Sequence, residues 1–237
     1  MHSLLMKLFI YITHLLALPM VVLALDKPEL VSFDFRCLAM SKELRMKELY
    51  VGYAEATERY RIRLNDQSKT EVYSYRGAPQ LYFYDQASGG SVLASYRYQP
   101  EQEMPLLLFY ENVNAQSLPY NVVSIEDSWS DLGPGSCLLV NLTSKALYWK
   151  FGEERFKVDS KAQRRIDSAD AAKTQVIALE ADKNGKPARV YRAYLRNQDN
   201  MRRLMFVRDT TENEVGSVRV KVIQDFYVPK AASVDED

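Results

Sequence analysis

Histidine occurs in this chain only at His2 and His14. Both lie in an apolar N-terminal stretch that reads as an export signal, so the mature chain is expected to carry no imidazole. A Ser-His-Asp or Cys-His device needs imidazole to move a proton, and zinc and copper sites draw on it heavily. Those chemistries are set aside, and no catalytic residue, metal site or cofactor is assigned. Paired carboxylates need no histidine: a glycosidase works with two, about 5 to 10 Å apart across a cleft. Glu55, Glu58, Glu153 and Glu154 offer such groups, but each adjoins an expected strand and reads as an edge charge. The chain shows no Gly-rich phosphate loop and no nucleophile elbow. Asp182-Lys183-Asn184-Gly185 lacks the downstream Glu of a calcium loop. Asn141-Leu142-Thr143 matches the glycosylation acceptor pattern, a three-residue motif common by chance.

Residues suited to binding are more plentiful. Tyr73, Tyr75, Tyr82, Tyr84, Tyr96 and Tyr98 fall within one 26-residue stretch. Tyrosine rows on a sheet stack on sugar rings or bury against a protein, because each ring joins a large apolar area to a polar tip. Tyr96 and Tyr98 share a face with Val92 and Ala94 and read as core. Tyr82 and Tyr84 alternate with Leu81 and Phe83 and read as the more exposed pair, with Tyr73 and Tyr75 as further candidates. The basic candidates are Arg155, Lys157, Arg192, Arg196, Arg219 and Lys221, all on expected solvent faces. They would attract an anionic envelope component or acidic polysaccharide, or simply discourage edge-to-edge strand pairing.

Formal neutrality conceals an asymmetry. Residues 26–135 hold 11 Lys and Arg against 16 Asp and Glu, whereas residues 136–230 hold 19 against 12. An acidic half precedes a basic one, and contact between unlike halves is a further reading. Near-neutral overall charge and export argue against nucleic acid.

The compartment follows from the N-terminus. Lys7 precedes an uncharged run, Leu8 to Leu25, and Val22 and Ala24 fit the small-residue positions of a signal-peptidase site. Cleavage is expected after Ala24, with residues 1–24 as signal peptide and a periplasmic or extracellular destination. A retained anchor is the alternative, since a spanning helix needs about 20 apolar residues. Cys37 and Cys137 would then face an oxidising compartment. They read as two buried thiols, one per domain. A disulfide is open to them only if the domains pack face to face.

Matches between the halves recur at 96 to 100 residues. Cys37-Leu38 corresponds to Cys137-Leu138, and Leu49-Tyr50 to Leu147-Tyr148. Residues 58–62 correspond to 154–158, residues 107–110 to 204–207, and residues 122–127 to 220–225. A tandem duplication follows. The local periodicity is that of strands: Tyr60, Ile62 and Leu64 alternate with Arg59, Arg61 and Arg63, and Val218, Val220 and Val222 with Arg219 and Lys221. Asn184-Gly185 marks a hairpin turn. Short strands in units of about 100 residues predict an all-β chain of two tandem β-sandwich domains of immunoglobulin-like size with little helix; a small barrel is the other candidate. The expected domains span 28–128 and 135–228, followed by a disordered acidic tail at 229–237. A short helix over 41–49 and a loop over 160–172 are also expected.

Residues Gly135 to Thr143, followed by Leu147 to Gly152, resemble β-sandwich modules of uncharacterised secreted bacterial proteins. The resemblance implies an exported sandwich and no activity. Together these readings favour a non-catalytic binding or scaffold protein of the bacterial cell envelope, contacting a protein or anionic glycan. A carboxylate-based glycan hydrolase and a self-assembling surface subunit are the alternatives.

Overall fold

A computed structural model describes residues 30–54, 56, 58–112, 117–167, 173–181, 187–196, 198–210 and 216–227. The expected signal segment, the acidic tail, Glu55 and the Asp182–Gly185 turn lie outside them. Sixteen strands follow one another: β1 (Val31–Ala39), β2 (Glu48–Gly52), β3 (Tyr60–Arg63), β4 (Tyr73–Gly77), β5 (Gln80–Tyr84), β6 (Val92–Arg97), β7 (Pro105–Glu111), β8 (Tyr120–Glu126), β9 (Ser136–Asn141), β10 (Leu147–Phe151), β11 (Glu154–Val158), β12 (Gln163–Asp167), β13 (Lys173–Ala181), β14 (Pro187–Arg196), β15 (Met201–Asp209) and β16 (Val218–Phe226). They form four sheets, ordered β4-β1-β7-β8, β3-β2-β5-β6, β12-β9-β15-β16 and β11-β10-β13-β14. The second eight strands repeat the order of the first eight, including a parallel central pair, β1 with β7 and β9 with β15. The chain is thus all-β, two tandem β-sandwiches, and no helix occurs among the described residues.

The residues matched between the halves fall at equivalent places in two hairpins. Leu49 pairs with Ile62 and Leu147 with Val158, so the β2–β3 and β10–β11 ladders are equivalent residue for residue. Ile62 and Leu64 are fully buried, while Arg61 and Arg63 face solvent. Elsewhere the sequence matches slip. Leu38 pairs with Leu108, and Leu138 with Leu204, so Leu204 is equivalent to Leu108 rather than to Leu107. A slip of one residue exchanges the two faces of a strand. It passed unseen because β7 and β15 are apolar on both faces and carry no alternation. The expected helix over 41–49 is instead a turn leading into β2, and the expected loop over 160–172 contains β12, whose Arg164 and Arg165 face solvent.

Three apolar layers hold the four sheets. The first lies within repeat one and includes Phe35, Cys37, Leu49, Ile62, Phe83, Leu107 and Phe109. The second lies within repeat two and includes Cys137, Leu147, Trp149, Val176, Ala178 and Met205. The third joins the repeats: Leu38, Met40, Leu106 and Leu108 meet Leu138, Val140, Leu204 and Phe206. The inner sheets therefore pack face to face and are apolar on both sides, as strands buried on both faces must be. Face-to-face packing was the condition for a Cys37–Cys137 disulfide, and it is met, yet both cysteines are free. Leu38 and Leu138 face the junction, so the neighbouring cysteines point away from it into separate cores. Burial raises the Cys37 thiol well above its ordinary value and pushes Cys137 up to about 12.

Charge seals the rim of the third layer. Arg202 of β15 is fully buried and spends its guanidinium on both repeats. It donates to the Asp127 carboxylate at 2.9 Å, to Asp225 at 2.8 Å, and to the carbonyls of Asp127, Ser128 and Leu132 at 2.9, 2.8 and 3.1 Å. Lys69 bridges the same carboxylates, 2.9 Å from Asp127 and 2.5 Å from Asp225. Trp129 lies over Arg202 at 3.9 Å and meets Tyr227 edge-on, closing the junction from outside. On another part of the junction Lys221 donates to the carbonyls of Ala39 and Asp66, and Arg208 to that of Met40.

Candidate functional site

The layer order leaves one face of each outer sheet uncovered. On β11-β10-β13-β14, inward residues Trp149, Phe151, Val176 and Ala178 are buried, so their neighbours in sequence point out. Tyr148 stands between Lys157 and Leu179 across the ladder, and Lys150 between Arg155 and Ile177. Ile177 in turn pairs with Arg192, and Leu179 with Arg189. The step from Arg192 to Arg189 is odd-numbered. A bulge at Ala178/Leu179 absorbs the extra residue and turns Arg189 to the same side. The result is an open depression of about 730 Å³ with Ile177 and Leu179 in its lining and Tyr148, Lys150, Arg155, Lys157 and Arg189 around them.

The face is basic and only lightly neutralised. Glu153 lies 3.6 Å from Lys150 and Asp159 2.6 Å from Lys157. Among the described residues, no carboxylate comes within salt-bridge reach of Arg155, Arg189 or Arg196. Tyr148 and Tyr194 remain 49% and 53% exposed, and Arg192 donates to the Tyr194 hydroxyl at 3.0 Å. The Asp159 hydrogen bond, then its charge, raises the Lys157 ammonium above its ordinary value, so it is cationic at neutral pH. A half-buried apolar floor, exposed tyrosines and guanidiniums that meet no carboxylate among the described residues can bind an anion that also has flat apolar area to bury.

The structure thus gathers Arg155, Lys157, Arg192 and Arg196 on one surface and separates the other candidates from it. Arg219 and Lys221 lie on β16, in the inner sheet. Arg219 is exposed there, but Lys221 is half-buried and holds the junction. Strand alternation placed Lys221 on a solvent face, but a second sandwich covers that face. Tyr75 is core, its hydroxyl donating to the Ala78 carbonyl at 2.8 Å and its pKa pushed up to about 12 by burial. Tyr73 packs beside Phe35, and its hydroxyl accepts from the Arg63 amide. Tyr84 is only 5% exposed because Arg59 covers its ring at 3.3 Å. Tyr82 is half-buried beside it. The expected core roles of Tyr96 and Tyr98 stand, with Tyr98 stacked on Phe33 at 4.5 Å. Sequence reasoning missed Tyr148, Lys150, Arg189 and Tyr194. The first two alternate with Leu147 and Trp149, a signal present but unused; Arg189 is legible only through the bulge.

The carboxylates considered for glycan chemistry are placed differently. Glu153 is almost wholly exposed on a turn, Glu154 pairs with Arg164 at 2.6 Å, and Glu58 is exposed. Among the described residues no cluster of three His, Cys, Asp or Glu is spaced for a metal. Asn141 is fully buried and donates to the carbonyls of Lys145, Val158 and Asp159 at 2.8, 3.1 and 3.0 Å. Its acceptor-like sequence is a structural knot with no room for a glycan.

No family model matches the chain, and no curated protein matches it. Among solved structures, human GIVD cytosolic phospholipase A2 aligns over 76% of this chain and 29% of that one, at 12% identity and a TM-score of 0.26.

Proposed function

We propose that this chain is an exported, non-catalytic binding protein of the bacterial cell envelope, whose second-repeat outer sheet docks an anionic glycan. The carrying observation is the concentration of Lys150, Arg155, Lys157 and Arg189 around Ile177 and Leu179, with Arg192 paired to Ile177, Arg196 further along the same strand, and Tyr148 and Tyr194 exposed on the same face. A polyuronate strand presents carboxylates at regular intervals and flat apolar ring faces between them, matching both halves of that surface. A flat open sheet offers long contact without enclosing a bond, which suits retention rather than turnover. The N-terminal segment, with its Val22 and Ala24 pattern, supports delivery to that compartment.

The test is titration of the full chain with polygalacturonate at low and at high salt, with neutral dextran as control. Binding is expected for the polyuronate alone and is expected to weaken as salt screens the face. R155Q/K157Q/R189Q removes three exposed charges worth about 0.5 kcal/mol each, or about tenfold in affinity. Equal binding of dextran, or an unchanged affinity in the triple variant, overturns the reading. Salt-sensitive self-association without polyuronate binding would favour an assembly subunit instead.

A further inference from the structure

The uncovered face of the other outer sheet, β3-β2-β5-β6, is also basic and carries tyrosines, half-buried at Tyr50 and Tyr82 and covered by Arg59 at Tyr84. Tyr50 stands opposite Arg61 across β2–β3 in the position that Tyr148 and Lys157 occupy across β10–β11. Arg63 follows on the same strand and side, and Arg97 closes the far edge opposite Gln80. All three arginines are exposed. Tyr82 and Tyr84 lie between these edges, with Arg59 on the Tyr84 ring. Glu48, 3.5 Å from Arg61, is the carboxylate on the face among the described residues of these strands. The first repeat is acidic in sum, yet this surface is basic; its acids sit in turns and at the junction, as Asp66 and Asp127 do.

The two faces point in opposite directions, because four sheets stack in one order: outer, inner, inner, outer. At about 10 Å between stacked sheets, the outermost sheets lie about 30 Å apart. A glycan chain on one face cannot bend round to the other within a few residues. We infer that the protein is bivalent: each outer sheet binds one strand of the same class of anionic glycan, and one molecule bridges two strands. This rests on the function proposed above and adds to it a second site and a bridging role. The third apolar layer gives the bridge stiffness, since it fixes the faces back to back.

The experiment uses the full chain with two probes, a polygalacturonate oligomer short enough to lie on one sheet and the long polymer. The oligomer is expected to bind at two per chain. The polymer is expected to scatter light at intermediate mixing ratios and to clear again in excess, as bridged strands become singly occupied. R61Q/R63Q/R97Q changes three exposed side chains outside every core layer. It is expected to keep second-face binding, fall to one oligomer per chain and lose the scattering. R155Q/K157Q/R189Q is expected to do the same from the other side. One oligomer per chain in the unaltered protein, or scattering that survives R61Q/R63Q/R97Q, overturns bivalency while leaving the proposed function standing. Failure of both probes to bind overturns both.

Discussion

Replacing Arg202 by methionine keeps most of the side-chain volume and removes the guanidinium that ties the repeats together. Six polar contacts go at once: two from Nε and Nη2 to Asp225, one to the Asp127 carboxylate, and three to backbone carbonyls. Lys69 remains, 2.9 and 3.0 Å from the Asp127 oxygens, and Arg36 lies 3.7 Å away, so Asp127 keeps two counter-charges. The carbonyls of Asp127, Ser128 and Leu132 do not. Breaking a buried ion pair on one side costs about 3–5 kcal/mol, and we expect about 4 kcal/mol here. For a chain of this length that is a fall in Tm of about 8–16 °C. Asp225 is the more exposed partner at 21%, so D225N is expected to cost less than R202M. In the pair R202M/D127N both partners of the buried contact are neutral, and the loss should be smaller than the sum of the single losses. Two tryptophans divide the readout. Trp129 covers Arg202, whereas Trp149 sits in the second core. In a Trp149→Phe background, urea unfolding followed by fluorescence reports the junction itself. An R202M transition within about 1 kcal/mol of the parent, or strictly additive losses in the double variant, refutes the view that this network clamps the repeats.

The remaining expectations are briefer. The Arg45 hydrogen bond holds the Asp66 carboxyl below its ordinary range despite burial, with Lys221 assisting. The folded chain therefore binds that proton less tightly than the unfolded one, and stability is full above the usual carboxylate pKa of about 4 and lost as pH falls through the depressed value. R45Q should flatten this acid limb in pH-dependent urea melts; an unchanged limb counts against the pairing. Cys37 and Cys137 should resist a thiol reagent in the folded chain and both react in urea, with no mass change on reduction; a disulfide-linked peptide would contradict their separate cores. N141A strips three carbonyls of their donor and should cost about 2–3 kcal/mol, whereas exposed S144A should cost little. The mature N-terminus from an expressing bacterium should begin at Leu25, and an intact N-terminus would favour an anchor.

What the sequence shows of the fold depends on how many faces of a strand meet water. β3 and β11 have one wet face, so their alternation is plain, and the positions matched between the repeats are structurally equivalent. β7, β9 and β15 have none, and a continuous apolar run such as Leu106-Leu107-Leu108-Phe109 states burial without stating which neighbour lies on which side. The third layer was therefore unreadable, and with it the role of Lys221 and the placing of Leu204. The site was half legible for the same reason. Arg155, Lys157 and Arg192 were found by alternation, but their convergence depends on β11 and β14 flanking β10 and β13, which is pairing information. Tyr84 shows the converse error: alternation placed it outward, correctly, and Arg59 then covered it.

The same burial argument explains where function is carried. In a four-layer stack the inner sheets are committed on both faces. A polar change at Leu38 or Leu138 would open the junction, and one at Cys37 or Cys137 would strike a core. Only the outward faces of the outer sheets, the strand edges and the turns are free to vary chemically without loss of packing. Solvation removes most of the cost of like charges there, which is why Arg155, Arg189 and Arg196 meet no carboxylate among the described residues while Arg202, equally charged but buried, collects two carboxylates and three carbonyls. Arg202 in the interior is saturated by protein groups, whereas the surface arginines of the outer sheet are left to water. A surface holding several such charges over an apolar floor gains by exchanging that water for a ligand which is anionic and flat.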